Sequence, residues 1–97
     1  MNRDKVISLL RGRETELHQA GVSRLYLFGS VLRGEAGADS DVDLFFDTDD
    51  LRFSLIELVD VRERIGAILG APPDVMTRSS LHPLLRSQIE AEAVRVF

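Results

Sequence analysis

The sequence contains no cysteine, which excludes disulfide bonds and metal sites built on thiolates. No stretch approaches the roughly 18 consecutive apolar residues of a membrane-spanning helix. The first residues lead into no apolar run of the kind that signal peptides carry. We therefore expect a protein of the reducing cytoplasm that has no membrane partner.

A surplus of basic residues is also absent, since 12 lysines and arginines stand against 16 aspartates and glutamates, a formal net charge of −4. Sequence-independent binding to nucleic acid usually needs a basic face, so we expect no direct nucleic-acid binding. The chain has 97 residues, which is enough for a single domain, residues 1–97, and leaves no length for a second domain that binds an acceptor.

The apolar periodicity predicts alternating helices and strands. The expected elements are a helix from residue 2 to about 20, a strand over 24–29, one helical turn at 30–33, a strand over 42–47, a helix over 51–69, a short strand over 74–77, a last helix that buries Leu81, Leu85 and Ile89, and a brief strand over 94–97. This order predicts an α/β (α+β) fold, in which helices cover a small mixed β-sheet.

Acidic residues crowd into the stretch around the second predicted strand, and two of them are Asp41 and Asp43. Side chains alternate on a strand, so these two carboxylates point to the same side, with Cα atoms roughly 6.5–7 Å apart. Carboxylates held this close repel one another unless a cation lies between them, and hard oxygen ligands suit Mg²⁺. An Asp-x-Asp pair at the edge of a loop is, however, often merely solvated.

Gly29 and Ser30 stand where the first strand ends and a helical turn begins. Glycine allows close approach of a ligand to the backbone, and the free N–H groups of a helix start favour an anion. This arrangement predicts a phosphate site without a P-loop, because the chain has no Gly-Lys-Ser or Gly-Lys-Thr. An ordinary turn at the end of a strand is the alternative interpretation.

Two further residues can complete such a site. Arg33, one helical turn after Ser30, can reach a phosphate as a charged donor, although surface arginines are common. Asp74 follows Pro73 at the start of the third strand, where its carboxylate can join the pair if that strand lies beside the second. Pro73 restricts this strand to a sheet edge or to its first residue.

Taken together, the tract from Leu25-Tyr26-Leu27-Phe28-Gly29-Ser30 through Arg33-Gly34 to Ser40-Asp41-Val42-Asp43-Leu44 resembles the signature of the nucleotidyltransferases related to DNA polymerase β. It is most similar to their minimal members, the MNT-domain antitoxins that pair with HEPN-domain toxins. The resemblance implies a nucleotidyltransferase-like fold.

By position, the resemblance assigns Asp41, Asp43 and Asp74 as catalytic, metal-binding residues. It assigns Gly29, Ser30, Arg33 and Ser40 to the nucleotide, with ATP as substrate and Mg²⁺, as two ions, as cofactor. The implied reaction transfers AMP to a tyrosine hydroxyl of a HEPN RNase toxin. Two alternatives stay open from the residues alone: an antitoxin that acts by binding without catalysis, and a nucleotidyltransferase subunit that modifies a small molecule.

Overall fold

The computed structural model describes residues 2–35, 37 and 41–97, which form helices and strands in alternation. In chain order these are α1 (Arg3–Arg11), α2 (Glu14–Gln19), β1 (Arg24–Phe28), α3 (Gly29–Arg33), β2 (Val42–Asp47), α4 (Leu55–Leu69), β3 (Pro73–Thr77), a 3₁₀ turn (Arg78–Ser80), α5 (Arg86–Glu92) and β4 (Val94–Arg95). Among the residues described, no helix is both long enough and apolar enough to cross a lipid bilayer.

The four strands form one sheet in the order β3-β2-β1-β4. β1 pairs antiparallel with β2 and with β4, whereas β2 pairs parallel with β3. A parallel pair needs a crossover, and α4 supplies it between β2 and β3. The predicted mixed sheet covered by helices is therefore confirmed.

The two faces of the sheet differ in character, because side chains alternate along each strand. One face is aliphatic and packs against α1, α2 and α4. Its buried core includes Leu25, Leu27, Leu44, Phe46, Val75, Val6, Leu10, Leu17, Val61 and Ile65. The opposite face, here called the front face, carries Tyr26, Phe28, Asp43, Phe45, Asp47 and Asp74 by the same alternation. Acidic side chains thus lie at both ends of β2 on the front face.

The predicted first helix is divided in two, because α1 ends at Arg11 and α2 begins at Glu14. Gly12 is a poor helix former. Arg13, with φ −119° and ψ 22°, leaves helical geometry. The apolar periodicity continues across this break, since Leu17 is buried together with Val6 and Leu10, so periodicity alone could not reveal it.

The later helices also start further along the chain than predicted. α4 begins at Leu55, where Ser54 and Glu57 form a capping box. The prediction that the last helix buries Leu85 and Ile89 was wrong, because Leu85 is 50% exposed, Ile89 is only half-buried and α5 begins only at Arg86. Leu81 is buried but has extended geometry (ψ 138°) after the 3₁₀ turn, so its spacing from Leu85 does not reflect a helix.

Candidate active site

Asp43 and Asp74 are direct neighbours across the parallel pair β2–β3. Adjacent strands lie about 4.8 Å apart, and residues in register share one face, so both carboxylates belong to the front face. Pro73 is the first residue of β3, and β3 is an edge strand. Both positions tolerate a proline. The third carboxylate of the sequence analysis therefore lies beside Asp43.

Gly29 lies directly against the Asp43 carboxylate. Its φ is +79°, a left-handed conformation that side chains other than glycine rarely adopt. A Cβ atom at this position would lie 2.9 Å from Asp43 Cγ and would overlap Oδ2. From the sequence alone, this glycine was expected to let a ligand approach the backbone closely. The structure adds a more specific reason, because the glycine leaves room for a candidate catalytic carboxylate.

Burial and neighbouring charges together raise the pKa of Asp43 above the usual value for aspartate. Partial burial is the largest cause, followed by the negative charges of Asp74 and Asp41, while Arg33 acts in the opposite direction. Asp41 is exposed and lies one residue before β2. Three carboxylates and one guanidinium are thus within electrostatic reach of one another, and a bound cation would relieve the repulsion.

Arg33, the last residue of α3, pairs with two glutamates. Its Nε donates to Glu35 Oε2 at 3.0 Å, and its Nη1 donates to Glu92 Oε1 at 2.7 Å. These contacts raise the pKa of Arg33, with Glu35 the larger cause. The Gly29 N–H donates to the same Glu92 oxygen at 3.3 Å. Sequence reasoning missed Glu92, because no local pattern connects a residue of α5 to α3.

Ser30 follows Gly29 in α3, is half-buried, and its carbonyl accepts a hydrogen bond from the Glu35 N–H at 2.9 Å. Ser40 lies outside the described residues. The other predicted site residues come together where β1 ends and β2 and β3 begin: Gly29, Ser30, Arg33, Asp41, Asp43 and Asp74. The arrangement combines a possible phosphate site with a cluster of carboxylates.

The donor chemistry of this cluster fits Mg²⁺, which prefers carboxylate oxygens and keeps several waters. Asp43 and Asp74 stand in register, and Asp41 adds its charge from just before the strand. In the described part of the chain, no three His, Cys, Asp or Glu side chains are already arranged to hold a metal ion. The carboxylates therefore suit Mg²⁺ in type and charge, without forming a closed ligand set.

A cavity of about 460 Å³ lies at the other end of β2 and is lined by Asp47, Arg24, Arg78 and Arg86 among others. Asp47 is four residues beyond Asp43 on the same strand, roughly 13 Å away. Asp47 pairs with Arg24 and Arg78, while Arg78 and Arg86 pair with Glu90. Arg24 also pairs with Asp49 at 3.5 Å, so the three arginines face three carboxylates and offer no surplus positive charge to a second anion.

Comparison with known proteins agrees with this geometry. The nucleotidyltransferase domain family matches residues 7–96, and the chain belongs to this family. Protein adenylyltransferase MntA of Thermococcus cleftensis is 34% identical over 94 residues, which cover 96% of this chain and 94% of that protein.

Solved structures share the fold. One assigned to the minimal nucleotidyltransferases superposes with a TM-score of 0.75 at 31% identity, and covers 97% of this chain and 95% of that chain. A structure of a tri-AMPylated Shewanella oneidensis HEPN toxin in complex with MNT antitoxin matches with a TM-score of 0.64. At 17% identity, with 94% of this chain and 71% of that chain covered, this second likeness shows the fold alone.

Proposed function

We propose that this chain is a protein adenylyltransferase that uses Mg-ATP to transfer AMP to a tyrosine hydroxyl of a HEPN-domain RNase toxin, and so acts as its antitoxin. The observation that carries the proposal is the Asp43 carboxylate, which lies between Gly29 and Asp74. Repelling carboxylates oppose folding, so their concentration beside a potential phosphate site favours a catalytic role. The name of the Thermococcus relative supports the same activity.

The phosphate-binding side of the site consists of Gly29, Ser30 and Arg33. The Ser30 hydroxyl and the N–H groups at the start of α3 are donors for the terminal phosphates, and Arg33 adds a charged donor. These groups hold the pyrophosphate that leaves when the acceptor oxygen attacks the α-phosphorus. Ser40, assigned by resemblance, would add a further polar contact to the nucleotide.

The carboxylate side orients the acceptor. The bond between the tyrosine oxygen and the α-phosphorus forms as the bond from phosphorus to the pyrophosphate oxygen breaks. Asp74, on the edge strand, takes the phenolic proton, either directly or through a water. A phenol has a pKa near 10, which makes it the most acidic side-chain hydroxyl. Mg²⁺ bound by Asp41, Asp43 and Asp74 would neutralise charge on the phosphate oxygens.

The test is the intact mass of a HEPN-domain protein from the same genome, beginning with the product of the neighbouring gene, after incubation with this chain and Mg-ATP. We expect a gain of one or more adenylyl groups, which Asp43→Asn abolishes. Asp4→Asn removes an exposed carboxylate of α1 and should leave the gain unchanged. A stable complex without any mass gain would instead identify an antitoxin that acts by binding alone.

Transfer of AMP to a small molecule is the other alternative. The same purified chain, incubated with Mg-ATP and no protein partner, distinguishes it from transfer to a protein. Efficient labelling of a small molecule or of RNA by the chain alone, without a protein partner, would contradict a protein acceptor. Such a result would not contradict the proposed nucleotide site. The dependence of that labelling on Asp43 would then show whether the carboxylates act as proposed.

A further inference from the structure

We propose that Glu92 is a positioning residue of the nucleotide site, which holds the start of α3 through the Gly29 N–H and orients Arg33 to receive the triphosphate. The inference rests on the proposed function, since it takes Gly29, Ser30 and Arg33 as the phosphate-binding groups. It adds a residue from the distant α5 to a site that otherwise comes from α3, β2 and β3.

One oxygen of Glu92 joins two of those groups. Glu92 Oε1 accepts from Arg33 Nη1 at 2.7 Å and from the Gly29 N–H at 3.3 Å. The Glu92 side chain is 27% exposed, whereas that of Glu35, the other partner of Arg33, is 64% exposed. Glu35 is the larger cause of the raised pKa of Arg33, but ion pairs weaken with solvent exposure, so the less exposed Glu92 is the stronger constraint on the guanidinium.

The sheet explains how a residue so distant in sequence reaches α3. β4 pairs antiparallel with β1, with Val94 opposite Leu27. Continuing this register by two residues on each strand brings Glu92 opposite Gly29, which is where the hydrogen bond is found. The position of Glu92 is therefore set by the strand pairing of β4, which follows it directly in the chain, and rigid elements position functional groups accurately.

The contacts with Glu35 and Glu92 orient Arg33 and leave N–H donors that can bind a phosphate. A guanidinium has five N–H donors in a fixed plane. Nε is used by Glu35 and Nη1 by Glu92, and within the described ranges neither glutamate engages Nη2. Two carboxylates bound to different donors of the guanidinium fix its direction, so Arg33 loses less rotamer freedom when a phosphate binds.

Glu92 could also compete with the nucleotide. In that case its carboxylate occupies the position of a phosphate group, and the incoming phosphate must displace it. Both roles use the same contacts, but they predict opposite signs. A positioning residue makes nucleotide binding weaker when it is removed. A competing carboxylate makes binding tighter when it is removed, because an anion leaves the phosphate site.

The experiment measures the dissociation constant of Mg-ATP by isothermal titration calorimetry on the whole chain and its variants. We expect Glu92→Ala to weaken binding roughly threefold to tenfold, and Glu92→Gln, which keeps an acceptor oxygen, to stay within about twofold of the wild type. Arg86→Ala is the matched control. It removes an exposed ion pair within the same helix, with Glu90, leaves the pair between Arg78 and Glu90 in place, and should leave the constant within about twofold.

A double-mutant cycle distinguishes positioning through Arg33 from a general loss of structure. In an Arg33→Ala background, Glu92→Ala should add little further loss, because its partner is already gone. Tighter binding by Glu92→Ala, additive losses in the cycle, an equal effect of Arg86→Ala, or binding indifferent to Arg33→Ala would each overturn this inference alone. Absence of Mg-ATP binding by the wild type would overturn the proposed function and this inference with it.

Discussion

Gly29 and Asp43 constrain each other at the level of single residues, and this constraint can be measured. Gly29→Ala places a Cβ in a left-handed conformation (φ +79°) and against the Asp43 carboxylate. Gly34→Ala has a similar φ of +73° but no atom within 4 Å of the new Cβ. Left-handed strain alone costs about 1–2 kcal/mol, so we expect Gly34→Ala to lose that much in urea unfolding and Gly29→Ala to lose clearly more.

The contact with Asp43 also explains why Gly29→Ala should lose more stability than Gly34→Ala. In an Asp43→Ala background the added Cβ meets a smaller side chain, so the cost of Gly29→Ala should fall toward that of Gly34→Ala. Equal losses for the two alanine variants in the wild-type background would show that the Asp43 contact imposes no constraint on residue 29.

Asp43→Asn should separate stability from activity. Burial and the charges of Asp74 and Asp41 raise the pKa of Asp43 in the folded protein, so its ionised form opposes folding above that pKa. Asparagine removes this charge, and we expect a higher melting temperature at pH 7, together with loss of adenylyl transfer. The gain should shrink as the pH falls through the raised pKa, because the wild-type aspartate is then protonated. A lower melting temperature at pH 7 would contradict this account.

Much of this site could be predicted at the residue scale, because Gly29, Ser30, Asp41 and Asp43 lie close together in the sequence. Alternation along a strand is enough to predict that Asp43 faces away from the aliphatic core. Glu92 could not be found in this way. Its place depends on the register of β4 against β1, and the pattern that predicts a brief strand here does not specify that register.

At the scale of elements, α5 is joined to the sheet mainly by ion pairs, since none of its described residues is buried. Arg78 is the central cation. It pairs with Asp47 and Glu90 and lies 4.9 Å from the ring centroids of both Tyr26 and Phe45. Arg78→Ala should therefore cost about 2 kcal/mol and lower the hydrogen-exchange protection of residues 86–92.

Arg86→Ala is the control for that prediction. Arg86 pairs with Glu90 within the same helix and is 44% exposed, so its loss should change global stability by less than about 0.5 kcal/mol. If Arg78→Ala and Arg86→Ala lower the hydrogen-exchange protection of residues 86–92 equally, Arg78 does not anchor α5 to the sheet.

The elements themselves were predictable where periodicity and capping agree. The strands and the body of α4 follow from their apolar patterns, and the parallel position of β3 follows from the crossover. The break between α1 and α2 and the late start of α5 were not predictable. In both places the apolar spacing continues although the backbone changes, because a residue outside a helix can still reach the core, as Leu81 does.

For the molecule as a whole, resistance to acid should depend on Asp47. Arg78 is the main cause of a lowered pKa for this carboxyl, and Arg24 adds to it, while partial burial acts in the opposite direction. A carboxyl with a lowered folded pKa stabilises the protein above its unfolded pKa, near 3.9. That contribution is lost as the pH falls through the folded value.

Asp47→Asn should consequently lower the free energy of unfolding by about 1–2 kcal/mol at pH 7 and by little near pH 2. Urea unfolding at the two values is the measurement, with Asp4→Asn as an exposed control. A deficit of the same size at both pH values would mean that the asparagine perturbs packing, and that the ionised carboxylate contributes nothing.

The strand order also has a consequence for the time course of folding. Gly29 meets Asp43 across the hairpin of β1 and β2, a pairing between segments close in the chain. Asp74 arrives only after α4 has crossed over and β3 has docked in parallel. Local pairings form sooner than non-local ones, so a folding chain can bring Gly29 and Asp43 together before Asp74 arrives, and before the pairing of β4 with β1 places Glu92. A molecule with β3 undocked would then hold the groups that contact the phosphates and lack the carboxylate that takes the acceptor's proton.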